Sequence, residues 1–332
     1  MIQQIQYVIS KGTNPYENIA LEEYLLQRVS ENTCILYLWQ NKNTVVIGRN
    51  QNCWKECKVT ALEEDGGYLA RRLSGGGAVF HDLGNLNFTF LVRKVDYDVD
   101  RQLEVILTAC RMLGIHAEKT GRNDITVDGK KFSGNAFYKT EESCYHHGTL
   151  LLCADLSRLS EYLNVTEDKL KAKGVSSVQS RVTNLSAFCP SITVDKMRET
   201  LIRAFEHVYG LKGQRLYPED FSDKQLQNRR DFFASALWKY GKHMPFTTAY
   251  SQRFAWGDID LHLRIKQGRI EAANLFSDGM DETFLMKIPE VLQDCPFQTE
   301  EMIERICWLK LEDNTQRQIA EDVKELFREQ EL

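Results

Sequence analysis

Residues 71–90 read RRLSGGGAVFHDLGNLNFTF. Two arginines, three successive glycines and a His-Asp pair precede an alternating apolar run. Residues 68–72 have the composition of a strand entering the glycines, and residues 87–92 that of a strand leaving them. A Cα without a side chain lets backbone N–H groups curl towards one oxyanion, and neighbouring guanidinium groups add charge and a planar fork of donors. The stretch therefore predicts a strand–loop–strand unit that cradles a phosphate or carboxylate. No Gly-Lys-Ser/Thr follows, and the glycines are consecutive, so neither a Walker loop nor a dinucleotide GxGxxG is present.

Working outward, Asn14-Pro15 opens an apolar-periodic helix over 15–29. Short β-rich runs at 35–39 and 44–47 flank an NKN turn. A helix over 54–65 ends at Gly66-Gly67. Beyond the loop, a helix over 101–113 stops at Gly114. Asp128-Gly129, between β-branched residues, predicts a hairpin turn. A strand at 145–153 and helices at 157–163 and 194–209 follow. The pattern weakens from 214 to 251. A second hairpin then spans 258–276 around KQG, and three amphipathic helices occupy 281–292, 298–310 and 313–329. This order predicts an α+β fold. A large domain of mixed β-sheet with flanking helices covers 1–246, and a small α/β C-terminal accessory domain covers 247–332, with a linker near 245–251.

The chain has 332 residues, 42% of them hydrophobic and 27% charged, with a net charge of −5. An acidic balance argues against a general nucleic-acid binder. No apolar run reaches membrane-span length, and MIQQIQYVISKG lacks the charged and apolar regions of a secretory leader. With nine scattered cysteines, the expectation is a cytoplasmic monomer with reduced thiols. Cys53 and Cys57 have no second pair of ligands nearby to complete a zinc site.

Two further groups of residues bear chemistry. Asn123 and Asp124 lead into the hairpin that carries Lys131. Strict alternation puts Lys131, Ser133 and Asn135 on one face and Phe132, Gly134 and Ala136 on the other. The small polar face suits a site floor, which favours Lys131 over Lys130. In Tyr145-His146-His147-Gly148-Thr149 the paired histidines face opposite ways, so at most one reaches a shared site.

The runs TVVIGRNQN, RRLSGGGAVFHDLGNLNFTF, GRNDITVDGKKFSGNAFY, HHGTLLLCADLSRL and LKAKGVSSVQSRVTNL cover most of 15–190. With AWGDIDLHL further on, they make the chain resemble the lipoate–protein ligases, a family of lipoyl- and octanoyl-attachment enzymes related to biotin–protein ligases. The resemblance implies that lipoate and ATP give lipoyl-AMP and pyrophosphate. The lipoyl group then passes to a lysine on an apo lipoyl carrier domain, such as a 2-oxoacid dehydrogenase E2 subunit or the glycine cleavage H protein. It places ATP and lipoyl-AMP at Arg72, Gly75, Gly76, Gly77, Ala78, Val79 and Phe80, the catalytic lysine at Lys131, and Mg2+ at Asp124. Arg71, Ser74, His81, Asn123, His147 and Thr149 are further candidates, with His147 a possible base. The glycine loop and the region of Lys173-Gly174-Val175 are expected to reorder on ligand binding.

One departure opens an alternative. Related octanoyltransferases carry a nucleophilic cysteine in Cys-x-x-His-Gly, and Cys144 stands in Cys-Tyr-His-His-Gly. A thiolate beside the Lys131 cation would be activated. The chain would then transfer lipoyl or octanoyl groups from carrier to carrier, or from preformed lipoyl-AMP.

Overall fold

A computed structural model describes residues 1–121, 123–164, 182–221, 224–241 and 244–329. The expected ligand-responsive stretch around Lys173-Gly174-Val175 lies outside the described residues. The chain divides into two compact units. The first comprises Met1–Val46, Trp54–Arg71 and Val79–Lys239; the second comprises Ile47–Cys53, Arg72–Ala78 and Tyr240–Leu332. Two short early segments, the glycine loop among them, thus belong with the C-terminal part.

The strands are β1 (Gln4–Ile9), β2 (Thr33–Trp39), β3 (Thr44–Ile47), β4 (Tyr68–Arg71), β5 (Val79–His81), β6 (Asn85–Arg93), β7 (Ala117–Thr120), β8 (Asp124–Val127), β9 (Lys130–Lys139), β10 (Ser143–Leu151), β11 (Gly213–Leu216), β12 (Thr248–Phe254), β13 (Gly257–Lys266) and β14 (Arg269–Phe276). In the first unit eight strands form one sheet, in the order β11-β1-β2-β6-β10-β9-β8-β7. β1 runs parallel to both β11 and β2, and the rest of the sheet is antiparallel. β4, β3 and β5 make a separate three-stranded sheet. The two runs flanking the NKN turn therefore belong to different sheets.

The helices of this unit include α1 (Pro15–Arg28), α2 (Cys53–Glu56), α3 (Val59–Glu64), α4 (Val99–Met112), α5 (Ser157–Tyr162), α6 (Val194–Tyr209), α7 (Lys224–Ala234) and α8 (Ala236–Tyr240). Asn14 caps α1 by accepting from the Tyr16 amide, with Pro15 in the first turn. Thr193 caps α6 in the same way, and Gly210 ends it at φ 66°. The helix expected over 54–65 is broken into α2 and α3, because the Lys58 amide turns aside to donate to Tyr162 O.

Each face of the large sheet has its own apolar layer. Leu86, Phe88 and Phe90 of β6 pack with Ile106 of α4 and Phe205 of α6. On the opposite face Tyr37, Leu91 and Tyr145 pack with Leu21 and Leu25 of α1. Burying one such phenylalanine stabilises the fold by roughly 1.5–3 kcal/mol. Alternation along β6 therefore sends Asn85, Asn87 and Thr89 to the α1 face.

The second unit holds the antiparallel sheet β12-β13-β14 and the helices α9 (Glu282–Leu292), α10 (Thr299–Cys307) and α11 (Asn314–Arg328). Its core includes Leu261, Leu263, Ile288, Val323 and Phe327. The stretch expected as a linker at 245–251 is strand from Thr248 onward. Among the described residues no helix is long and apolar enough to cross a membrane.

Candidate active site

The candidate residues form two groups, one in each unit. In the first unit the hairpin turn is as its sequence predicts, with Asp128 at φ 49° and Gly129 at φ 71°. The strands beyond it are not regular. Ile125 pairs with Ser133 while Thr126 pairs with Lys131, so Phe132 and Ser133 form a β-bulge. The extra residue shifts the parity of the side chains.

Lys131 therefore shares a face with Thr126, Asp124, Gly134 and Ala136, not with Ser133 and Asn135 as strict alternation predicted. The Lys131 side chain lies back over Gly134: a Cβ built there would stand 3.1 Å from Nζ. Nζ is 2.6 Å from Asp124 Oδ1, and both side chains are a little over one-third exposed. Gly134 is thus small because an ammonium crosses it.

Register carries this face across the sheet. Asp124 stands opposite Gly134, Gly134 opposite Thr149, Thr149 opposite Asn87, and Asn87 opposite Trp39. Two residues along, Thr89 and His147 face each other. The Trp39 indole donates to Thr89 Oγ1 at 3.0 Å, and Thr89 donates to Glu22 Oε1 at 2.6 Å. His147 Nδ1 lies 2.9 Å from the same Glu22 oxygen. A carboxylate only accepts, so this contact places the proton of His147 on Nδ1. Glu22, Trp39, Asn87 and Thr89 did not stand out in the sequence. The available signal was the polar alternation Asn85, Asn87, Thr89 inside an otherwise apolar strand.

Several other candidates have structural partners. Asn123 and Asn135 exchange side-chain-to-carbonyl hydrogen bonds at 2.9 Å. His146 is buried between Gln102 and Asn135, and that burial pushes its pKa down to about 3, with His147 adding to the shift. Arg71 donates to the carbonyls of Trp238 and Lys239, and so holds the C-terminal end of α8. His81 lies against Asn41 and edge-on to Trp39. Phe80 packs against Tyr162, and Val79 is half-buried.

Cys144 is fully buried, and burial pushes its thiol up from the ordinary value. It pairs with Lys139, far along β9 from Lys131. An unbroken register places it on the face opposite Tyr145 and His147, hence opposite Lys131. No Cys144–Lys131 or Cys144–His147 pair is built.

In the second unit, Arg72 is buried and donates to Ser74 Oγ and to the carbonyls of Gly75 and Gly77. Its guanidinium shapes the loop from within. The three glycines have different causes. A Cβ on Gly75 would sit 2.3 Å from Gly279 O. Gly76 adopts φ 87°, and its amide donates to Gly279 O, not outward to an anion as the sequence suggested. Gly77 is exposed, and a Cβ there would meet nothing within 4 Å. Packing therefore explains the first two, and leaves Gly77 as the position where bare backbone has no internal purpose.

Residues 14–206 match the family model described as the lipoyl protein ligase A/B catalytic domain, and residues 243–327 match the bacterial lipoate protein ligase C-terminus. Among solved structures, P. falciparum LipL1 in complex with lipoate is 28% identical. The match covers 97% of this chain and 99% of that one, with a TM-score of 0.85. A bipartite lipoate protein ligase from Thermoplasma acidophilum, solved in a study with its E2 lipoyl domain, is 25% identical. That match covers 75% of this chain and 100% of that one, with a TM-score of 0.63. Catalytic model, C-terminal model and full-length fold agree, and the chain belongs to the lipoate–protein ligase family.

Proposed function

We propose that the protein is an ATP-dependent lipoate–protein ligase. It joins lipoate to ATP as lipoyl-AMP with release of pyrophosphate, then transfers the lipoyl group to a lysine amine of an apo lipoyl carrier domain. The observation that carries this reading is the Lys131 ammonium lying over Gly134 beside Asp124. Adenylate formation brings a carboxylate against an α-phosphate, and two unit charges about 4 Å apart repel by roughly 4 kcal/mol at an effective dielectric near 20. A compact ammonium touching both anions offsets that repulsion and stabilises the transition-state charge. The nucleotide would be held by Arg72, by the exposed backbone at Gly77 and by the segment through Phe80. Ser74, His81 and Thr149 would flank the reactants.

Asp124 fits a magnesium ion: it is a hard oxygen donor, half-exposed. Among the described residues no cluster of three or more metal-ligating side chains occurs. Magnesium commonly takes one or two carboxylates and completes its shell with phosphate oxygens and water. When bound, it would neutralise charge on the leaving pyrophosphate.

LipL1, similar over nearly its whole length, was solved with lipoate, which supports lipoate as the acid. The archaeal ligase was studied with an E2 lipoyl domain, which supports an E2 carrier as acceptor. The acyl-thioester route has no such support, since Cys144 faces away from Lys131. The deciding experiment incubates the protein with ATP, magnesium, lipoate and an apo E2 lipoyl domain, omitting each in turn, and follows carrier mass. A gain of one lipoyl group is expected only in the complete mixture, and a Cys144→Ser protein should match the wild type. Carrier modification by lipoate without ATP would overturn the ligase reading, and modification by preformed lipoyl-AMP but not by lipoate with ATP would mark a transferase.

A further inference from the structure

The row of side chains that begins at Lys131 changes character along its length. At one end Asp124 and Lys131 are 36% and 38% exposed. Thr149, next in register after Gly134, is half-buried. At the other end Asn87 and Trp39 are 1% and 4% exposed. Directly opposed residues on one face stand about 5 Å apart. Two steps from Gly134 to Asn87 thus span about 10 Å, the scale of an eight-carbon acid. A ligand with a charged head and an apolar tail fits this gradient in one direction. Its carboxylate stays at Lys131, where ATP and the carrier lysine need access, and its tail runs inward towards Asn87.

The buried end is not apolar. Neither the carboxamide nitrogen nor the carboxamide oxygen of Asn87 has a hydrogen-bond partner among the described residues. A buried amide left unpaired is destabilising, and unsatisfied buried polar groups are rare enough to require a cause. The surrounding polar groups are occupied with one another: Trp39 with Thr89, and Thr89 and His147 with Glu22. At the buried end of that row the Asn87 carboxamide is left with both its donor and its acceptor unpaired, whereas Thr126, whose hydroxyl also lacks a partner among the described residues, stands at the Lys131 end.

We propose that Asn87 reads the far end of the acyl chain and selects an acid whose tail carries a sulfur ring over one that ends in plain hydrocarbon. Sulfur is a weak but real acceptor for an amide N–H. A methylene in the same place leaves the carboxamide dry and unpaired. This rests on the ligase reading for the identity of the acid and sharpens it, because a straight-chain or carbocyclic acid of the same length would be discriminated against at the tail.

The test uses acid binding alone, which requires no ATP chemistry. Calorimetry on the full-length protein compares lipoate with 5-cyclopentylpentanoate, which keeps the ring and chain but replaces both sulfurs with methylenes. Wild type should bind lipoate about tenfold more tightly. Asn87→Leu should bring the two Kd values within about twofold, chiefly by tightening the carbocyclic acid. Equal affinities in the wild type would overturn the proposal, whatever the variant does. A ratio unchanged in a folded Asn87→Leu protein would also overturn it, and would mean that internal water satisfies the carboxamide. Should Asn87→Leu fail to fold by circular dichroism, the wild-type comparison and Asn87→Ser decide. Pyrophosphate release is measured in parallel. Its absence together with a collapsing ratio would remove the ligase reading and leave tail selection standing; its presence with an unmoved ratio would do the reverse.

Discussion

At the residue scale, the Lys131 cation is held by position more than by burial. Its partner Asp124 is as exposed as it is, and such pairs contribute only about 0–1 kcal/mol to stability. Lys131→Ala should therefore melt within a few degrees of the wild type. Lipoate-dependent pyrophosphate release should fall by about a hundredfold or more, the usual cost of removing a preorganised charge-stabilising donor. Near-normal pyrophosphate release in the variant would take the lysine out of the reaction. Lys131 was legible from the motif around it, but its orientation was not. Strict alternation put it with Ser133 and Asn135, and a one-residue bulge reversed that. Nothing in KKFSGN marks the bulge, which lies where β9 pairs with β8 on one side and on the other passes from β10 at Ser133 to Val182 at Lys131.

At the element scale, the glycine loop shows how a single motif serves several purposes. Gly75→Ala forces a methyl against Gly279 O, an overpacking that costs typically 1–3 kcal/mol. That protein should lose several degrees of thermal stability. Gly77→Ala has room for its methyl and should melt like the wild type while losing ATP-dependent turnover. Paired melting curves and pyrophosphate assays check both, and a Gly77→Ala enzyme with full turnover would assign that glycine to the chain, not to the nucleotide. Helix caps and the Asp-Gly turn could be read directly, since Asn14, Thr193 and Gly129 act on their own neighbours in sequence. The short strands β1, β7 and β11 could not. Ala117–Thr120 and Gly213–Leu216 are largely polar edge strands, and pairing rather than propensity makes them strands.

At the scale of the whole molecule, stability should depend on pH through the second unit. Burial pushes the Glu282 carboxyl up from 4.5 to about 7; Asp281 adds to this, while Thr283 and Arg49 oppose it. The folded protein thus holds this proton more tightly than the unfolded chain does. Its stabilising effect is full below about pH 4.5 and is lost as pH rises to about 7, beyond which it is flat. At 1.36 kcal/mol per unit this amounts to about 3 kcal/mol at most. Glu282→Gln should raise the melting temperature at pH 8 and flatten its slope between pH 5 and 7. An unchanged slope would place the titration elsewhere.

The second unit also has a genealogy in its chain path. Its contiguous part begins at Tyr240, yet the Ser277 amide donates to Asn50 O and the Asn50 side chain donates to Glu282 O. A gene cut near codon 240 would yield a front fragment still carrying Asn50 and Gly75, and a back fragment lacking both. Neither piece should be stable alone. Co-expressed, each would serve as the other's folding template, and the two should copurify as a non-covalent pair that an Asn50→Ala change weakens.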